Sequence, residues 1–158
     1  MIYYSEHRSP LGTLLLAATE RGLCGLYFEQ HKYFIGPQGW CNDGAHPHVR
    51  RAALELDEYF AGRRRTFDVA LDLGGTPFQR DVWDALLALP YGATTSYQSI
   101  AQRIARPNAV RAAGTAIGRN PVSIIVPCHR VLGSSGALSG YAGGLPRKQF
   151  LLAHERAA

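Results

Sequence analysis

Along the first third of the chain, apolar positions come in short bursts separated by turn residues, the rhythm of small strands rather than of long helices. From Ile2 to Glu29, apolar and β-branched stretches are interrupted by Ser9-Pro10-Leu11-Gly12 and by Glu20-Arg21-Gly22, which predicts two or three antiparallel strands. Tyr33 to Gly44 reads as a loop. Between His48 and Phe60, the residues Ala52, Leu56, Tyr59 and Phe60 recur near helical spacing and Gly62 ends the run, predicting one amphipathic helix. Phe67, Val69, Leu71 and Leu73 then alternate with polar or small residues, the period of a half-buried strand.

Gly74-Gly75 breaks this pattern, because adjacent glycines support neither helix nor strand. The chain therefore divides into a mixed strand and helix lobe over residues 1–73 and a second lobe over residues 74–158. Thr76-Pro77-Phe78-Gln79 supplies a capping hydroxyl, a first-turn proline and a capping-box glutamine, so a helix starts at Pro77. Phe78, Val82, Ala85, Leu86 and Leu89 keep one face apolar until Pro90-Tyr91-Gly92. A short helix over Tyr97 to Ile104, capped by Thr95 or Ser96, is followed by the turn Arg106-Pro107-Asn108 and a second helix. There Val110, Ala113, Gly114 and Ile117 face inward, and Asn108, Arg111, Ala112, Thr115 and Arg119 face outward. Two readings stay open: a helical hairpin packed on its alanines, or a helix-turn-helix whose short side chains let it approach a DNA groove around Arg111. The predicted class is α+β: a small antiparallel-sheet N-terminal lobe and a mainly helical, winged-helix-like C-terminal lobe carrying the helix-turn-helix.

The length of 158 residues and an apolar content of 46% suffice for an ordinary core. No apolar run approaches the roughly 20 residues of a membrane span, and the N-terminus lacks the signature of a secretory signal. Cys24, Cys41 and Cys128 are odd in number and irregularly spaced, unlike a disulfide framework. An intracellular, reducing, cytoplasmic setting is expected. A net charge of +5 is compatible with a polyanionic partner. The run Arg63-Arg64-Arg65 is read as a solvated loop with no DNA role.

Candidate chemistry centres on Cys128. Ile124-Ile125-Val126 has the composition of a buried strand, and Pro127 would end its ladder, so Cys128 is expected at a strand end. An ordinary thiol is only about 3% thiolate at pH 7, so a nucleophilic cysteine needs a base or a positive neighbour. His129 is adjacent, but neighbours on extended chain point apart, so imidazole and sulfur would meet through a turn or, as favoured here, a bridging water. A thiol pKa lowered by about 1.5 units would make half of it thiolate at pH 7. A packed, inert thiol is the alternative reading of Cys-His alone.

Wider context decides between them. Pro127-Cys128-His129-Arg130, preceded by Gly118-Arg119-Asn120-Pro121-Val122 and Ile124-Ile125-Val126, closely resembles the active-site segment of the O6-alkylguanine-DNA alkyltransferases, also called methylated-DNA protein-cysteine methyltransferases. The resemblance runs from about Phe67 to Glu155, through Thr76-Pro77-Phe78-Gln79, Pro90-Tyr91-Gly92, Ser96-Tyr97, Ala109-Val110-Arg111-Ala112-Ala113-Gly114, Tyr141-Ala142-Gly143-Gly144 and Leu151-Leu152-Ala153-His154-Glu155. It implies that Cys128 accepts an alkyl group irreversibly from O6-alkylguanine, with O4-alkylthymine a further candidate substrate, in a single turnover. It implies that His129 activates the sulfur through water, Glu155 orients the imidazole, Asn120 organises the turn and Tyr97 donates to guanine N3. By the same resemblance, Arg111 acts as an arginine finger, with Ala109, Ala112 and Gly114 against the minor groove of double-stranded DNA. Val131, Tyr141, Ala142 and Lys148 then surround the flipped base. Neither a metal nor an organic cofactor is called for, and a monomer is expected.

Ala142 stands where some members carry serine, so a hydroxyl contact is absent, and the first 65 residues resemble the family only in general layout. Cys24, His31, Cys41, His46 and His48 match no zinc-finger spacing, and no zinc site is assigned to them. Competing classes fare less well. A helix-turn-helix transcription factor would carry longer base-reading side chains, a cysteine hydrolase would need an oxyanion site, and a lesion sensor without repair would lack the cysteine. A bulky S-alkyl group in a packed site is expected to lower the melting temperature of the reacted protein.

Overall fold

The computed structural model describes residues 1–34, 36–133, 136 and 140–156. Backbone contacts divide the chain into two units, Met1–Gly74 and Gly75–Ala158. In the first, β1 (Tyr3–Ser9), β2 (Gly12–Ala18) and β3 (Leu23–Tyr27) form an antiparallel meander, as the apolar bursts predict. The segment read as a loop contributes one more short strand, β4 (Cys41–Asn42), which pairs parallel to β1 and gives the order β3-β2-β1-β4. Helix α1 (Pro47–Phe60) buries Val49, Ala52, Leu56 and Tyr59, and also Glu55.

The strand expected over Phe67 to Leu73 does not form. Only Leu71 bridges to Leu23, with Ala70 accepting from the Leu23 N–H and Asp72 donating to the Leu23 carbonyl. The physical reason is Glu55, whose carboxylate accepts from the N–H groups of Asp68 and Val69 at 2.9 and 3.1 Å. Those donors, which a neighbouring strand would otherwise satisfy, are consumed by a helix side chain.

The second unit opens with Gly75, whose φ of +83° and whose closeness to Trp83, 2.5 Å from where a Cβ would stand, both require glycine. Helix α2 (Pro77–Leu87) follows with both bonds of the expected capping box, Thr76 Oγ1 accepting from Gln79 N and Gln79 Oε1 accepting from Thr76 N. Its buried face adds Trp83, whose indole N–H donates to the Ala116 carbonyl at 2.9 Å. Strand β5 (Thr95–Ser96) leads into α3 (Tyr97–Arg103), capped by Ser96, and the turn after it delivers α4 (Val110–Gly118). Strand β6 (Val131–Leu132) and helix α5 (Leu145–Arg156) complete the unit. Among the described residues, no helix is long and apolar enough to cross a membrane.

Candidate active site

The site grows from a turn that the apolar pattern misrepresents. Ile124, Ile125 and Val126 are buried, but they are not a strand. Asn120, itself 4% exposed, donates from Nδ2 to the Val126 carbonyl at 2.8 Å and accepts at Oδ1 from the Val122 N–H at 3.0 Å. One amide side chain thus takes the place of a neighbouring strand at both ends of the segment. The backbone closes on itself, with Val126 N donating to Val122 O, Ile125 N to Ser123 O and Cys128 N to Val126 O. Ile124 is forced to φ +71°, a left-handed conformation that β-branched residues avoid at a cost of about 1–3 kcal/mol. Cys128 therefore emerges from a strained turn and begins a 3-10 turn, Cys128–Arg130, rather than ending a strand.

That 3-10 turn carries three buried side chains, Cys128, His129 and Arg130. His129 is fully buried, and its Nε2 lies 2.7 Å from Oε2 of Glu155, which reaches in from the last turn of α5. Because a carboxylate only accepts, Nε2 carries the hydrogen and Nδ1 is left as the acceptor. Nδ1 is buried and makes no hydrogen bond to any described residue. Arg130 donates to the same carboxylate through Nε to Oε1 at 2.8 Å and through Nη2 to Oε2 at 3.0 Å. Its Nη1 donates to the Leu89 carbonyl at 2.7 Å, and its guanidinium lies over the ring of Tyr91. Sequence reading quoted Arg130 within its motif but assigned it nothing; its only signal was its place beside Cys128-His129.

Electrostatics of the resting site differ from expectation at one point. Burial pushes the Cys128 thiol up, and the hydrogen bond with Asn120 and the charge of Lys148 offset only part of this. The lowered thiol pKa expected from the sequence is therefore not found in the folded site, which holds the sulfur protonated. Burial also pushes His129 down, against the pull of its bond to Glu155, so the imidazole is neutral. For Glu155, burial alone would raise the pKa, but the hydrogen bonds from His129 and Arg130 win and hold it well below the usual carboxylate range.

The remaining candidates gather around this centre. The parallel pairing of β5 with β6, Thr95 opposite Val131 and Ser96 opposite Leu132, brings the start of α3, and with it Tyr97, alongside the residues that follow the cysteine turn. Tyr97 is half-buried, and Gly114 of α4 faces its ring, with a Cβ there standing 3.6 Å away, at ordinary contact distance. Val131 is fully buried, and its carbonyl accepts from Nζ of the buried Lys148 at 2.7 Å. Tyr141 and Ala142 are half-buried just before α5. On α4, Arg111, Ala112 and Thr115 are exposed, as is its C-cap Arg119, and Ala109 is its half-buried N-cap. In the first unit, His31 Nδ1 accepts from the Phe28 N–H, and Cys41 is exposed. Burial raises the Cys24 pKa to about 11. Among the described residues, no group of three histidine, cysteine or acidic side chains could hold a metal ion.

With this geometry in place, two family models match the chain. Residues 77–157 match the 6-O-methylguanine DNA methyltransferase, DNA binding domain, and residues 2–73 match the 6-O-methylguanine DNA methyltransferase, ribonuclease-like domain. The chain belongs to this family. It is 49% identical over 157 residues, 99% of this chain and 93% of the relative, to the methylated-DNA-protein-cysteine methyltransferase of Mycolicibacterium paratuberculosis. To that of Methanosarcina acetivorans it is 47% identical over 152 residues, 96% of each chain. Among solved structures, Mycobacterium tuberculosis OGT in complex with DNA superposes with a TM-score of 0.91 at 46% identity, covering 98% of this chain and 93% of that one. The likeness extends through the first 65 residues, beyond the general layout that their motifs suggest.

Proposed function

We propose that this chain repairs DNA by direct reversal, transferring an alkyl group from O6-alkylguanine to Cys128 once per protein molecule. The observation that carries the reading is the continuous buried path from the Cys128 turn through His129 to Glu155. DNA binds along the exposed face of α4, where Ala109, Ala112 and Gly114 allow close approach in the minor groove and Arg111 fills the gap left by the flipped base. The base enters between Tyr97 and the segment of Val131, Tyr141 and Ala142, with Lys148 fastening the wall from behind through the Val131 carbonyl.

As the base arrives, the thiol proton passes to Nδ1 of His129 through a water, because Nε2 is already committed to Glu155. The S–C bond forms while the C–O6 bond breaks, and the electron pair remains on the guanine, which gains a proton at N3 from the Tyr97 hydroxyl. The imidazolium returns the proton that restores the phenol, so the net change is thiol plus alkylguanine to thioether plus guanine. Since the resting thiol is protonated, the sulfur is activated when substrate is present rather than before. The thioether has no leaving route, which makes the protein a stoichiometric reagent, acting as a cytoplasmic monomer.

Mass spectrometry after mixing the protein with a duplex containing one O6-methylguanine tests this, with Cys128→Ser as control. One methyl per protein, on Cys128, is expected. An unmodified Cys128 under reducing conditions, with the lesion bound, overturns the transfer and leaves a lesion-binding protein.

A further inference from the structure

Arg130 lies at the centre of the buried network without touching the reacting atoms. It is 5% exposed, Glu155 is 3% exposed and His129 is fully buried, so these charges meet with little solvent between them. Both oxygens of the carboxylate are engaged: Oε1 accepts from Arg130 Nε and, at 3.4 Å, from Gly92 N, and Oε2 accepts from His129 Nε2 and Arg130 Nη2. The guanidinium is in turn fixed by the Leu89 carbonyl and the face of Tyr91.

A buried carboxylate facing an imidazole alone would have no other counter-charge, and its pull would raise the proton affinity of that imidazole. An imidazolium cannot accept the thiol proton. Here the fork of Arg130 has already balanced the carboxylate, and a proton on His129 would place a second cation beside Arg130, with Lys148 a third positive group nearby. Burial opposes protonation of His129 most, and both cations add to it.

We propose that Arg130 is a positioning residue for the transfer: by gripping both oxygens of Glu155 it balances the carboxylate that holds His129, and so keeps the imidazole neutral with Nδ1 as its open acceptor. The charged groups that act on His129 are Arg130 from its own turn and Glu155 and Lys148 from α5; between α2 and β5, the Leu89 carbonyl and the Tyr91 ring meet Arg130, and the Gly92 N–H meets Glu155. Lysine could balance the charge but not bridge both oxygens and the Leu89 carbonyl at once.

This inference rests on His129 being the base of the proposed transfer, and the experiment separates the two. Single-turnover methyl transfer from an O6-methylguanine duplex is followed from pH 5 to pH 9 for the wild type, Arg130→Met and Arg130→Lys. In parallel, nitrogen NMR of the unreacted full-length proteins follows the protonation of His129, which requires no transfer. Arg130→Met is expected to move the acid limb of the rate profile, and the His129 titration with it, upward by about one pH unit. Transfer then falls about tenfold on the acid side and recovers as pH rises. Arg130→Lys keeps the wild-type limb with a lower plateau. A loss by the same factor at every pH, with the His129 titration unmoved, would mean a merely structural arginine and overturns the proposal. Should Arg130→Met not fold, the wild-type spectrum still decides: a protonated imidazole, or a hydrogen on Nδ1, at pH 7 overturns it. Absence of transfer by the wild type would instead remove the reading on which it rests.

Discussion

Glu55 in the first unit and Glu155 in the second are both buried carboxylates near arginine, yet they do opposite things. Glu55 is fully buried and accepts from Asp68 N and Val69 N, with Arg51 and Arg64 completing its surroundings. Among the described residues its bonds end on backbone or on arginine, groups that do not titrate near neutral pH, so the network is closed. Glu155 accepts from Arg130 and from His129, and the imidazole, one residue after Cys128 in the chain, ends in a buried nitrogen that makes no hydrogen bond to a described residue. Burial and satisfied hydrogen bonds therefore do not mark a site by themselves. An open end on a titratable group does.

The largest contrast should come from removing each carboxylate. Glu155→Ala is expected to lower single-turnover transfer by about 10²–10⁴-fold, the usual contribution of positioned acid-base groups. Glu55→Ala should leave transfer per folded molecule unchanged while destabilising the protein by about 3 kcal/mol, since two backbone N–H groups and the arginines lose their acceptor. Equal losses of transfer in both variants, measured at matched folded fractions, would erase the distinction.

Acid should reveal the same asymmetry. The folded pKa values of His129 and Glu155 both lie below their ordinary values of about 6.5 and about 4.5, so each contributes stability that is present above the ordinary value and lost as pH falls. The melting temperature should drop first through the histidine range and then through the carboxylate range. Glu155→Gln should flatten the second part of that drop, which calorimetry against pH would detect.

Smaller effects concern the helices that present the site. Arg111→Ala should reduce transfer from duplex DNA about tenfold, from the lost share of the unstacking cost. Transfer from free O6-benzylguanine should be unaffected, and a loss with the free base would move Arg111 out of the DNA interface. Thr76→Ala should cost about 1 kcal/mol of stability in denaturant, the worth of an N-cap, without altering the pH profile.

What could be read from the residues follows a consistent physical line. Local rules placed α1, α2, α3 and α4, since caps, prolines and apolar spacing act within a few residues of one another. The capping box at Thr76 and Gln79 formed in full because both partners lie in one turn. The two strands that failed, Phe67 to Leu73 and Ile124 to Val126, have correct strand composition. Their hydrogen bonds were taken by Glu55 and by Asn120, side chains that a reading by period counts as polar background.

The cysteine motif and its family were likewise present in the chain as a string, because the chemistry demands those residue types in that order. Their arrangement was not. Glu155 stands 26 positions from its histidine and Tyr97 lies 31 positions before Cys128, and only the packing of α5 on the cysteine turn and the pairing of β5 with β6 bring them together. The protonation state also belonged to the folded protein alone. A thiol beside a histidine suggests a lowered pKa in sequence, but burial raises it, and Arg130 balances the carboxylate that pulls a proton toward the base. Solvent exclusion and charge balance are properties of a packed volume, and no local pattern of residues contains them.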